Sequence, residues 1–255
     1  MARTYEGMKS DIDISLTKLQ TRYIDLYQLH NVQLSDDISG AIKALEDAKK
    51  EGKIKHIGIT THSIEVFERE VELNRFETVQ FPYNIVESQG EKLIDEATKQ
   101  GIGVIVMKPL AGGAIDDSRL AIKYILNNEN VSVVIPGMES IEQVIENGNV
   151  KAGKISEIEE EEIEKIKNHL KSNFCRRCGY CQPCPVGINI PLMFLCEGYY
   201  LRYGLKGWAK ERYNSMKVLP SKCVKCGKCE SKCPYNINIR ERITDIVRLM
   251  EDNNG

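Results

Sequence analysis

Sulfur is the first thing this sequence withholds: no cysteine occurs before Cys175, so nothing in the first 174 residues can form a disulfide or bind a metal through a thiolate. An excess of one charge is missing too. With 37 acidic against 35 basic side chains, the net charge of −2 provides no field of the kind a nucleic-acid or membrane-surface binder uses. No basic, apolar, small-residue leader opens the chain. The longest apolar stretch, Gly101 to Ile115, is broken by Lys108 and Pro109, far short of a membrane span. These absences set the expectation of a soluble, cytoplasmic protein with no nucleic-acid and no membrane partner. At 255 residues there is room for one large domain and one small one.

Between Tyr23 and Gly137, five short apolar, β-branched runs recur: RYIDLYQLH (22–30), IKHIGITTH (54–62), ETVQFPYN (77–84), GVIVMKPL (103–110) and VSVVIPG (131–137). Each is followed by a helical pattern, which predicts βα units around a parallel sheet. In DDISGAIKALEDAKKEG, Ile38, Ile42, Leu45 and Ala48 share a face that Gly52 closes. SIEQVIEN begins with Ser140 and has Gln143 three residues on, the pattern of a capping box. ISEIEEEEIEKIKNHLKS sets Ile155, Ile158, Ile163, Ile166 and Leu170 on one side and a solvated glutamate run on the other. Whether such a sheet is open or closed into a barrel, its working residues lie beyond the carboxyl ends of the strands.

After Ser172 the texture changes to cysteine, proline, glycine and aromatics, which predicts domains at 1–172 and 173–255. FCRRCGYCQPCPVGINIP and KCVKCGKCESKCPYNINI form an internal repeat, 48 positions apart at their first cysteines. Cys223, Cys226, Cys229 and Cys233 before Pro234 fit the C-x2-C-x2-C-x3-C-P run of two-cluster ferredoxins, in which the fourth thiolate serves the other cluster. Cys175, Cys178, Cys181 and Cys184 repeat it with one residue fewer before the last cysteine. By the crossover rule, one [4Fe-4S] cluster takes Cys175, Cys178, Cys181 and Cys233, and the second takes Cys223, Cys226, Cys229 and Cys184. The competing reading is structural zinc, which draws two cysteines from each knuckle and leaves half of these thiols unexplained. Cys196, alone in LMFLCEGYY, reads as a small core hydrophobe.

SLTKLQTRYIDLYQLHN resembles the fourth strand region of the aldo/keto reductases. HIGITTH, VQFPYNIVE, VMKPLAGG and VIPGMESIEQVIEN resemble that family's later strand ends in order. The cysteine module resembles the dicluster domain that one branch of the family carries. The resemblance implies an α/β fold: a partial (β/α)8 TIM-type barrel of about five βα units, then a small, mainly α-helical ferredoxin-like domain. It implies hydride exchange between NAD(P)H and a small carbonyl or alcohol substrate. Residue by residue, it implies a catalytic role for His30 at a strand end, where imidazole can hydrogen-bond a substrate oxygen. Thr60, Thr61 and Gln80 match carboxamide-orienting positions, although polar strand-end residues also satisfy backbone. Met107 stands where many members stack an aromatic ring, Lys108 meets a phosphate or is solvated, and Glu146 and Asn147 match adenine contacts. His62 is a second substrate-contact candidate. Gly137 and Gln143 occupy positions that are basic in many members, which favours NAD over NADP.

The family's tyrosine, lysine and aspartate lie on its first three strands and have no counterpart here, which suggests a fragment or a short form lacking about 80 to 100 residues of a full barrel. Hydride moves two electrons and a cluster accepts one, and no glycine fingerprint offers a flavin site. The alternative is therefore a non-catalytic electron-transfer or docking module with an electron-transfer partner protein.

Overall fold

The computed structural model describes residues 2–251. Two compact units are present, one holding residues up to Pro109 with Ile122–Gly153, the other Leu110–Ala121 with the residues from Lys154 on.

From Tyr5 to Gly148, helices alternate with five parallel strands: α1 (Tyr5–Leu19), β1 (Ile24–Leu29), α2 (Ser39–Lys50), β2 (Ile54–Thr60), α3 (Ile64–Leu73), β3 (Thr78–Pro82), α4 (Glu91–Lys99), β4 (Gly103–Met107), α5 (Ser118–Leu126), β5 (Val133–Ile135) and α6 (Ile141–Gly148). The strands lie side by side in chain order, forming a half-barrel. Three of these helices, α1, α3 and α6, start where a short polar side chain satisfies a free amide. Thr4 accepts from Gly7 N–H, Ser63 from Val66 N–H and Ser140 from Gln143 N–H. Left-handed Gln20 and Asn74 close α1 and α3.

Strand alternation gives the sheet two different faces. Leu29, Ile59, Val79 and Val104 are in register and fully buried with Met8, Ile12, Leu45, Phe67 and Ile94 from the helices. Burial of this kind is worth about 1.5–3 kcal/mol per large side chain. The opposite parity aligns Gln28, Gly58, Thr78 and Gly103 in one row and Thr60, Gln80, Ile105 and Val133 in the next. Gly58 is required there, since a Cβ would collide with Thr78 Oγ1. At the β5 end this inner side is open, with Val133 and Ile135 exposed, and α6 buries none of its residues.

Two local expectations change. Gln143 does not complete a capping box: its Oε1 accepts from Glu139 N–H at 2.8 Å, one residue before the cap. The reciprocal box belongs instead to α7 (Glu157–Leu170), where Ser156 and Glu159 exchange bonds. Ile158 in α7 is 79% exposed, so its apolar contacts come from Ile163 and Leu170.

The second unit continues with α8 (Ile190–Leu201), α9 (Lys206–Asn214), a 3-10 turn at Pro220–Lys222, α10 (Lys228–Ser231) and α11 (Ile239–Glu251). Its core joins Ile188, Met193, Phe194, Tyr213, Ile239 and Ile246, and Cys196 is fully buried among them as a core residue. Arg242 on α11 grips buried Glu197 on α8 through two bonds of 2.6 Å. Among the described residues no helix is long and apolar enough to cross a membrane.

Candidate functional site

The two cysteine motifs fold alike because the same backbone conformations recur in both. The residue two after the first cysteine is left-handed in each copy, Arg177 (φ 57°) and Lys225 (φ 53°), and so is the glycine after the second, Gly179 (84°) and Gly227 (75°). Both pairs are 48 positions apart. After each Cys-Pro, Gly187 (86°) and Asn236 (52°) repeat the device at 49 positions, so the one-residue deletion falls between the third and fourth cysteines. The left-handed residue turns its amide back on the first sulfur: Lys225 N–H donates to Cys223 Sγ at 3.4 Å, and Arg177 N–H does the same to Cys175. Amides aimed at sulfur are one of the features that set a cluster's potential.

In the shortened spacer of the first copy, Gln182 substitutes for the helical turn of α10. Its Nε2 donates to Ile188 O at 3.1 Å and its Oε1 accepts from Cys184 N–H at 3.2 Å. Sequence reasoning missed this residue, for which the one-residue deletion is the only signal. Cys184 lines one pocket with Cys223, Cys226 and Cys229, walled by Pro185, Ile188 and Ile243. Burial pushes the Cys175 thiol up to about 12, with Cys181 and Cys178 adding to it. Burial likewise pushes Cys181 up to about 11, reinforced by Cys178, Cys229 and Cys233. Cys181 is thus within electrostatic reach of thiols from both copies of the repeat, and buried thiols that repel one another ionise only where a cation compensates them.

Zinc would require four ligands within about 2.3 Å of one point. Among the described residues no three His, Cys, Asp or Glu side chains converge in a way that could hold a single metal ion. Thiols spread around a pocket suit the corners of a larger iron-sulfur group, and in that sense the residues fit it. None of the nine cysteines is in a disulfide.

In the first unit, the strand ends collect the other candidates. His30 follows β1 and is exposed, and Arg3 donates to its carbonyl at 3.0 Å. Thr60 Oγ1 accepts from Asn31 N–H at 2.7 Å. Thr61, wholly buried, donates to Val32 O at 2.9 Å and accepts from Ser63 N–H at 3.0 Å. Both hydroxyls are thus engaged with backbone. Gln80 Nε2 reaches Met107 Sδ at 3.6 Å on the inner face. Lys108 is left-handed (φ 55°) and half-buried, and its carbonyl accepts from Asn84 Nδ2 at 2.9 Å. Asn84, absent from the sequence-based set, is fully buried and its Oδ1 also takes the Val86 and Glu87 amides. It braces the loop after β3 to the end of β4, and its place in a Pro-Tyr-Asn turn is the signal that could have found it.

His62 is half-buried just before the α3 cap. Glu146 is exposed on α6, and the Oδ1 of neighbouring Asn147 is buried with no hydrogen-bond partner among the described residues. Gln28 Nε2 on β1 and Thr78 Oγ1 on β3, either side of Gly58 on the inner face, are likewise unpartnered among the described residues. Sequence reasoning assigned them no role.

Residues 2–120 match the aldo/keto reductase family, and residues 174–238 match the 4Fe-4S dicluster domain. The Bacillus subtilis oxidoreductase YqkF is 25% identical over 65% of this chain and 66% of its own. L-galactose dehydrogenase of Arabidopsis thaliana is 28% identical over 56% and 57%. The solved aldo-keto reductase AKR11C1 from Bacillus halodurans superposes with a TM-score of 0.58 at 26% identity, covering 65% of this chain and 68% of that one. This chain thus spans less than two thirds of the length of these curated relatives.

Proposed function

We propose that this chain, whose residues 2–120 match the aldo/keto reductase family and residues 174–238 the 4Fe-4S dicluster domain, serves in an oxidoreductase with two [4Fe-4S] clusters. In this reading the half-barrel holds a nicotinamide for hydride exchange with a small carbonyl or alcohol. The observation that carries it is the meeting of Cys184 with Cys223, Cys226 and Cys229 around one pocket, since Cys184 comes from the other copy of the repeat. Cys175, Cys178, Cys181 and Cys233 are left for the first cluster. When bound, the clusters supply one-electron chemistry and the nicotinamide supplies a hydride.

The chain's own residues do the holding. Lys225 and Arg177 amides orient the sulfurs. His30 offers a hydrogen bond to substrate oxygen, Gln80 presents an amide beside Met107, and Lys108 sits at a strand end for a phosphate. Glu146 and Asn147 face adenine, and NAD is favoured because Gly137 and Gln143 supply no positive charge for a 2′-phosphate. Intact thiols suit a cytoplasmic setting.

One observation favours the second reading, a non-catalytic electron-transfer module: Thr61 spends both its donor and its acceptor on backbone, and Thr60 Oγ1 already accepts the Asn31 amide. Anaerobic titration decides between them. NADH alone bleaches the cluster absorbance on the first reading, whereas on the second only dithionite does. Iron and sulfide at about eight each per chain are expected on both, and a zinc-loaded, colourless protein would sink both.

A further inference from the structure

Charge divides along this chain although it nearly cancels overall. From Asn173 on there are 14 basic and 7 acidic side chains; of the chain's 35 and 37, residues 1–172 keep 21 and 30. The basic excess is densest in KCVKCGKCESKC, where Lys222, Lys225, Lys228 and Lys232 are all exposed. None of the four forms an ion pair among the described residues; Lys232 reaches only the Gln182 carbonyl, at 3.4 Å. The nearby carboxylate of Glu230 is held by Arg240 at 2.7 Å.

The two motifs differ in what they present. In the first copy, Phe174 and Arg176 are buried, and the Arg176 guanidinium stacks 3.9 Å from the Tyr235 ring. In the second, Cys226 is the one exposed cysteine of the nine, and adjacent Val224 is 63% exposed. An apolar centre with a charged rim is the anatomy of a transient protein interface. Because tunnelling falls off steeply with distance, an exposed ligand sulfur is where an electron would cross.

We propose that the face around Cys226, ringed by Lys222, Lys225, Lys228 and Lys232, docks a small one-electron carrier protein whose cofactor edge is surrounded by carboxylates. This rests on the redox-active clusters proposed above and gives their partner its chemistry. In the exchange the reduced carrier loses one electron and the cluster gains one, with no bond made or broken. Four unpaired lysines steer an acidic carrier toward the port, an effect that salt screens.

The test is stopped-flow reduction of the anaerobic holoprotein by a reduced acidic [2Fe-2S] ferredoxin across ionic strength. In the Lys222→Gln/Lys228→Gln/Lys232→Gln variant, which leaves Lys225 beside Cys223 untouched, the second-order rate constant at low salt should fall at least about tenfold and its salt dependence should flatten. Iron content and dithionite bleaching should match the parent, which shows the variant is folded and loaded. A Lys206→Gln/Lys210→Gln control on α9 should leave the rate unchanged. An unchanged rate in the triple variant, or an equal loss in the control, overturns the docking face while the redox reading stands. A parent protein that dithionite cannot bleach removes the redox reading and this proposal with it. If the triple variant instead loses cosedimentation with phosphatidylserine vesicles, or salt-sensitive self-association, at an unchanged ferredoxin rate, the face belongs to a lipid or to a second copy.

Discussion

Cys184 and Cys196 lie twelve positions apart and have opposite surroundings: one lines a pocket with three other thiols, and the other is packed among Met193, Phe194 and Tyr213. Cys184→Ala should therefore reduce iron from about eight to about four per chain, measured on anaerobically prepared protein. Cys196→Ala should keep the iron and lose only about 1 kcal/mol for its small cavity. An equal loss of iron in both would refute the assignment. Thr61 poses a parallel question, because its hydroxyl both donates to Val32 O and accepts from Ser63 N–H while wholly buried. Thr61→Val should cost about 1–3 kcal/mol by stranding those groups, with NADH affinity unaltered if the hydroxyl serves backbone alone. At this scale the sequence was legible for the cysteines, whose spacing is itself the chemistry. It was not legible for Gln182 and Asn84, whose roles depend on carbonyls and amides brought to them by folding.

At the amino end of β3, Glu77 ties three elements together. It accepts from Lys49 of α2 at 2.7 Å, from the Ile57 N–H of β2 at 3.1 Å, and pairs with His56 at 2.6 Å. Burial works against its charge, but Lys49, His56 and the Ile57 amide prevail and hold it at about 2, below its ordinary 4.5. A carboxyl depressed on folding adds stability that is complete above its unfolded value and lost as pH falls through the folded one. Protection of the Ile57–Ile59 amides from hydrogen exchange should accordingly weaken between about pH 4.5 and pH 2. In Glu77→Gln it should be weaker at neutral pH and flatter across that range. An unchanged pH profile would remove Glu77 from this role. On α3, Glu70 is almost wholly buried and gripped by Arg75 at 2.6 Å, with Arg69 at 2.9 Å. Arg75→Ala should cost about 1.5–3 kcal/mol, because Glu70 loses its charge-assisted bonds from Arg75 and keeps only the one from Arg69, and thermal unfolding would show it. Helix positions were readable from periodicity, but the capping partners were not. Gln143 and Glu159 both follow a serine by three residues, and only the local path of the chain decides which one reaches back.

At the scale of the whole molecule, the hydride exchange proposed above would rest on His30 and the strand-end amides, without the tyrosine, lysine and aspartate that the family resemblance implies. Steady-state assays of this chain with NADH and simple aldehydes should show slow turnover or none, since acid-base catalysis is commonly worth about 10²- to 10⁴-fold. Brisk reduction would mean that another group donates the proton. The sequence by itself determined the parallel strand order and the eight-thiol set, because strand alternation, short βα connections and cysteine spacing are local properties of the chain. Only the tertiary structure decided which strand face the helices cover, that Leu110–Ala121 joins the second unit, that Cys184 shares a pocket with the second motif, and that Cys226 is left exposed. Each of these depends on residues far apart in sequence meeting or failing to meet, and no local pattern encodes that.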